Sequence, residues 1–160
     1  MKKIFSASAM AAMAIMLSAC CAQPELDGTW TVTSVAGEQV SLPDSLAEAT
    51  PFIRFDSAEG RIHGNSGCNI MNGAYTQDGS KLSFTGVATT MMAGPQELME
   101  LESKVLNAVN NAASVKETSE GQIQICDAEG NVVMELSMQA EETPAVTEGQ
   151  AEAAEETAEE

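Results

Sequence analysis

The stretch GNSGCNIMNGAYTQDGSKLSFTGVATTMMAG, Gly64 to Gly94, is the part of the chain specified most closely residue by residue. It holds six of the twelve glycines, and glycine serves where a chain must turn with positive φ or pass close to another backbone. Within it Lys81-Leu82-Ser83-Phe84-Thr85 alternates polar and apolar residues, the period of a half-buried strand. Local backbone geometry is what this stretch fixes.

The same period recurs on both sides. Trp30 and Val32 begin an earlier strand, Ile53 and Phe55 another, and Arg61-Ile62-His63 leads into the glycine stretch. Later, Gln122-Ile123-Gln124-Ile125 alternates again, and Val132, Met134, Leu136 and Met138 share one face. Turn signals fall between them at Ala36-Gly37-Glu38, Glu59-Gly60, Gln77-Asp78-Gly79, Glu120-Gly121 and Glu129-Gly130. Such spacing predicts hairpins of an antiparallel meander rather than βαβ crossovers. One segment differs. Pro95 suits the first position of a helix, and Leu98, Leu101, Val105, Ala108 and Ala112 then recur at helical spacing. The expectation is one amphipathic helix of about four turns, with Glu100 and Lys104 as an i,i+4 pair, packed on the open end or exposed face of a curved sheet.

The flanks speak of location. Lys2 and Lys3 precede an apolar or small-residue run, Ile4 to Leu17, closed by Leu17-Ser18-Ala19-Cys20. That pattern predicts a lipoprotein signal peptide over residues 1–19, with Cys20 as the lipid acceptor and residues 20–25 as a linker. An ordinary signal peptide cut near Ala22 is the alternative. Cys21, not Asp, follows the lipidated cysteine, which favours the outer membrane in a Gram-negative host. Residues 26–138 suffice for one hydrophobic core. From Gln139 to Glu160 the chain turns to Glu, Ala, Thr and Pro with eight glutamates, so an acidic disordered tail is expected over 139–160, a frayed Glu/Ala helix being the alternative. A net charge of −17 repels a phosphate backbone and sets nucleic acid aside as a partner.

The order G-x-x-G-C-N, then N-G-x-Y, then a strand and T-T-M-M-A resembles the META or HslJ-like domain, a family of small bacterial envelope proteins. The resemblance covers about Leu26 to Met138. It rests most on Leu26, Gly28 and Trp30, then Gly64, Gly67, Cys68, Asn69, Gly73 and Tyr75, then Thr90 and Met91. It implies a mainly β fold, an antiparallel curved sheet or partly open barrel, with a helix inserted between the central and the last strands. It brings no established catalytic chemistry. Many such domains also carry a second cysteine just after the T-x-M-A element, near enough in sequence to suggest pairing with the cysteine of G-C-N. Here that place holds Gly94, and the other cysteine of the domain is Cys126.

Each motif residue also has a reading of its own. Trp30 offers the largest apolar burial in a chain poor in aromatics. Gly67 and Gly73 are expected to bracket a loop in which Asn69 and Asn72 bond the local backbone, and Tyr75 to bury its ring. Thr90 and Met91 stand where sheet gives way to helix. These residues are read as fold determinants, with a binding surface as the alternative.

Enzymatic candidates are thin. Gly64-Asn65-Ser66-Gly67 misses the G-x-S-x-G elbow by one residue, and the sole histidine, His63, is five residues from Cys68 on the opposite strand face. Neither a histidine pair nor C-x-x-C is present, so no metal or cofactor is expected. The flanking residues of Cys68 lack a cation to depress its pKa, which points to a structural thiol. The carboxylates read as solvated surface. The best reading is a non-enzymatic, lipid-anchored envelope module that binds an unknown envelope protein or serves in envelope stress. A small-ligand carrier using the interior of the curved sheet is the alternative, and a thiol-dependent enzyme at Cys68 the third.

Overall fold

A computed structural model describes residues 23–139. The signal peptide, Cys20 and all but the first residue of the acidic tail lie outside the described residues. Nine strands form one antiparallel sheet: β1 (Gly28–Val35), β2 (Glu38–Gln39), β3 (Phe52–Asp56), β4 (Arg61–Asn65), β5 (Ile70–Asp78), β6 (Lys81–Thr89), β7 (Ser114–Glu117), β8 (Gln122–Cys126) and β9 (Val132–Met138). Among the described residues a single α-helix, α1 (Gln96–Asn111), follows β6, and a 3₁₀ turn, Asp44–Ala49, precedes β3. The fold is therefore mainly β with one helix packed on a curled sheet.

The sheet returns on itself. From β3 to β9 each strand pairs with its sequence neighbour, and β9 then pairs with β1 through Trp30 opposite Met138 and Val32 opposite Leu136. The ring is thin at one place, where β6 meets β7 only at Lys81 opposite Ser114. β2 is a short outer strand reached through the two-residue turn Ala36-Gly37. Both turn residues have positive φ, 51° at Ala36 and 79° at Gly37. This is the twist that suits a tight hairpin of right-handed strands.

Alternation explains the core. Ile53 and Phe55 point inward while Arg54 and Asp56 are exposed, and Met71, Gly73 and Tyr75 point inward between exposed Ile70, Asn72 and Thr76. Trp30, Ile62, Leu82, Val115, Ile123, Ile125, Met134 and Leu136 complete the filling. Each such side chain contributes about 1.5–3 kcal/mol through apolar area removed from water. The interior of the ring is occupied by these side chains.

The expected elements form, joined by β2 and β7, which the sequence did not announce, and three residue assignments change. Gly73 does not close a loop; it lies inside β5 opposite Ile62. There a Cβ would come within 3.0 Å of Val87 Cγ2 and 3.3 Å of the Thr85 carbonyl, because an irregularity in β6 brings that strand close. Asn72 faces His63 across the strands, with His63 Nδ1 2.8 Å from Asn72 Oδ1, rather than bonding its own loop. Lys104 pairs with Glu38 of β2 at 2.6 Å, and Glu100 accepts the Gln96 side-chain amide instead.

Candidate functional site

The site is built where β4 turns into β5. Ser66 donates its hydroxyl to the Asn69 carbonyl and its N–H to the same oxygen, at 3.0 and 2.9 Å. Asn65 Oδ1 accepts the Gly67 N–H at 2.6 Å. The loop is thus tied to itself before it meets anything else. Gly67 has φ +139°, a conformation open to glycine, and a Cβ on it would lie 2.8 Å from the Leu98 carbonyl of α1. Glycine is needed there twice over, once for the backbone angle and once for the approach of the helix. Gly64 answers to approach alone, since a Cβ on it would run into the Phe52 carbonyl oxygen.

Against this loop stands Glu102. The residue is 8% exposed, and its carboxylate accepts the Asn69 amide on both oxygens at 3.0 Å and the Cys68 N–H at 3.2 Å. Asn69 uses its other side-chain atom for the strand that leaves the sheet: Oδ1 accepts the Thr90 hydroxyl at 2.7 Å and the Met92 N–H at 2.8 Å. Thr90 Oγ1 in turn accepts the Ile70 N–H at 3.2 Å. One buried asparagine therefore joins loop, strand exit and helix. Every buried side-chain polar atom among the described residues has a partner, as a low-dielectric site requires.

Glycine and thiol meet at the last contact of this network. Cys68 Sγ lies 2.6 Å from where a Cβ on Gly94 would stand, so Gly94 fills the space beside the sulfur without crowding it. Burial first, and the Glu102 carboxylate second, push the Cys68 thiol up from its ordinary pKa. Cys68 and Cys126 are both free thiols. His63 sits on the outer face with Asn72 and does not join Cys68.

Four of the predicted motif residues, Gly67, Cys68, Asn69 and Thr90, meet in this connection of the β4–β5 loop to the strand exit and α1, the latch of the fold. Trp30 and Tyr75 belong to the core: Trp30 donates its indole N–H to the Leu26 carbonyl at 2.8 Å, and Tyr75 packs edge-on to Phe55 at 5.1 Å. Burial, with Asp27, Asp56 and Glu25 adding less, raises the Tyr75 phenol. Met91 is 98% exposed. Glu102 was not among the predicted residues. Its signal was present in its position, four residues after Leu98 and three before Val105, on the stripe that α1 turns inward. Among the described residues no group of three His, Cys, Asp or Glu side chains is placed to hold a metal ion.

Solved structures share this architecture. An NMR structure of a protein from Burkholderia xenovorans is similar at 22% identity and TM-score 0.55, over 87% of this chain and 99% of that one. Another NMR structure matches at 24% identity and TM-score 0.54, over 71% and 90%. A DUF4847 family protein from Bacteroides vulgatus matches at 15% and TM-score 0.52, over 71% and 94%. At these identities the likeness is one of fold. No curated protein matches the chain. The META domain model matches residues 23–140, a span that takes in Trp30, the latch and all nine strands, and the chain belongs to the META domain family.

Proposed function

We propose that this protein is a non-enzymatic module of the cell envelope, held to the membrane, with the outer membrane as its place, by a lipid on Cys20, and working by binding. The observation that carries the non-enzymatic part is the use to which the motif is put. Asn69, Thr90, Glu102 and the Cys68 N–H spend their hydrogen bonds on one another. What they produce is a fixed connection between sheet and helix. The thiol beside them is raised in pKa by burial and by Glu102, the reverse of what a nucleophile requires. The carrier alternative is weakened by the core side chains that occupy the ring interior. The anchor rests on Leu17-Ser18-Ala19-Cys20 behind a short apolar run.

Acyl labelling and detergent partitioning test the anchor. Cys20→Ser is expected to lose label and move to the aqueous phase, and unchanged labelling overturns it. Alkylation of native Cys68 tests the thiol. Modification slower than that of a free cysteine is expected; fast modification at neutral pH returns the enzyme reading.

A further inference from the structure

The two ends of the ring differ in what they expose. Gln77 Nε2 donates to the Pro24 carbonyl at 2.8 Å, and the Gln139 N–H donates to the Thr29 carbonyl at 2.9 Å. Both ends of the described chain therefore leave beside the β3–β4 and β5–β6 turns. The latch lies at the opposite end, because Asn69 connects β4 to β5. Exposed apolar side chains cluster at that end, where Met91 is 98% exposed, Met92 58%, Ile70 46% and Met99 39%, whereas the other end has Met138 at 52%.

These side chains ride on the latch itself. The Thr90 N–H donates to the Ile70 carbonyl at 3.1 Å, and Met92 is held from both sides by Asn69, which accepts its N–H and donates to its carbonyl at 3.2 Å. Met99 follows Leu98, whose carbonyl backs onto Gly67. Flexible, polarisable methionine on a fixed backbone is suited to partners of variable shape. The segment of Met91 and Met92 runs on through Gly94 and Pro95 into α1, and the first turns of α1 and the β1–β2 hairpin enclose a groove of about 210 Å³ lined by Glu38, Leu42, Glu97, Glu100 and Leu101. Lys104 is the cation in it, and it is taken by Glu38. Glu97 and Glu100 have no cation among the described residues.

We infer that this end docks a basic, apolar-faced peptide segment of a partner protein, with its apolar side chains on Met91, Met92 and Ile70 and its Lys or Arg side chains against Glu97 and Glu100. The inference rests on the binding reading above and names the chemistry of the partner. Charge makes the choice: an acidic segment meets like charge, and a second copy brings the same carboxylates to the same rim. An amphipathic segment satisfies rim and groove together.

The test uses the full chain in zwitterionic nanodiscs, with empty nanodiscs as reference, and a short labelled peptide of Leu and Lys at helical spacing as probe. Saturable binding is expected, weakened about tenfold or more by Met91→Ser with Met92→Ser, and about tenfold by Glu97→Gln with Glu100→Gln, the latter also flattening the salt dependence. Met91→Lys, at a side chain with almost no packing to lose, is expected to weaken binding as well. Equal binding by parent and methionine variants overturns the docking surface, since the attraction is then diffuse charge. A Leu and Ser peptide that binds as tightly as the basic one, and is lost in the methionine variants, overturns the basic partner while the binding reading stands. Absence of binding by every peptide overturns the inference, and Cys20→Ser fractionation judges the anchor separately.

Discussion

The Glu102 carboxylate receives the Asn69 amide on both of its oxygens, at 3.0 Å, across 33 residues of chain. Glu102→Ala leaves the half-buried Cys68 N–H without its acceptor and the Asn69 amide with the Met92 carbonyl alone, at 3.2 Å. The expected loss is about 1–3 kcal/mol, the cost of one unsatisfied donor and one weakened hydrogen bond. Thr90→Val removes the hydroxyl from Asn69 and is expected to cost about 1 kcal/mol. Denaturant titration reads both, and a change below about 0.5 kcal/mol for Glu102→Ala would show that the latch contributes nothing to stability.

Gly94 and Cys68 make a second test. A Cβ on residue 94 stands 3.6 Å from Cys68 Cβ, inside the roughly 3.5–4.5 Å range of a disulfide. Gly94→Cys is expected to oxidise with Cys68, lose both thiols in the unfolded-state count, and gain about 2–4 kcal/mol. Gly94→Ala places a methyl group 2.6 Å from the sulfur and is expected to cost about 1–3 kcal/mol. If both substitutions prove neutral, the close approach is wrong.

The pH dependence of Cys68 has a defined sign. Burial and Glu102 raise its pKa in the folded chain, so the unfolded chain releases the proton first. The stabilisation is complete below the ordinary thiol range and declines as pH rises through the folded pKa. Alkylation rate against pH should therefore rise later than for a free cysteine, and Glu102→Gln should bring the midpoint down. A midpoint at or below that of free cysteine contradicts the assignment.

Ala36 has φ 51° in the β1–β2 turn, a region that costs an alanine about 1–2 kcal/mol. Ala36→Asn keeps a side chain that tolerates this region and is expected to add about 0.5–1 kcal/mol. The thermal midpoint should rise; a fall would mean that Ala36 makes a contact worth more than its strain.

Sequence and structure agree where one periodicity decides the matter. Ile123 and Ile125, Met134 and Leu136, or Leu82 and Phe84 could be read from alternation alone, since a strand buries every second residue whatever it faces. Gly73 was misplaced because a glycine inside a strand looks the same in sequence as a glycine that ends one. What sets it is Val87 on the next strand. β7 was missed because Ser-Val-Lys-Glu offers one buried residue, Val115. Glu102 was passed over for a related reason: an apolar stripe is recognised by apolar residues, and the partners that make its carboxylate acceptable inside, Cys68 and Asn69, lie 34 and 33 residues away. Gly67, Cys68, Asn69 and Thr90 were recognisable as a set, but their meeting point on α1 was not.

The pairing of β1 with β9 sets the order in which this chain can mature. The Thr33 hydroxyl reaches the Glu135 carbonyl across 102 residues, and Trp30 lies beside Met138. On the ribosome β1 emerges first and meets β9, the third of its partner strands, last. Loop closure of that length must be met before the contacts that reward it, so the ring closes as one late event. Until β9 is free the chain has an open seam beside Trp30 and Val32. A domain built this way cannot complete its sheet before its last strand has been made.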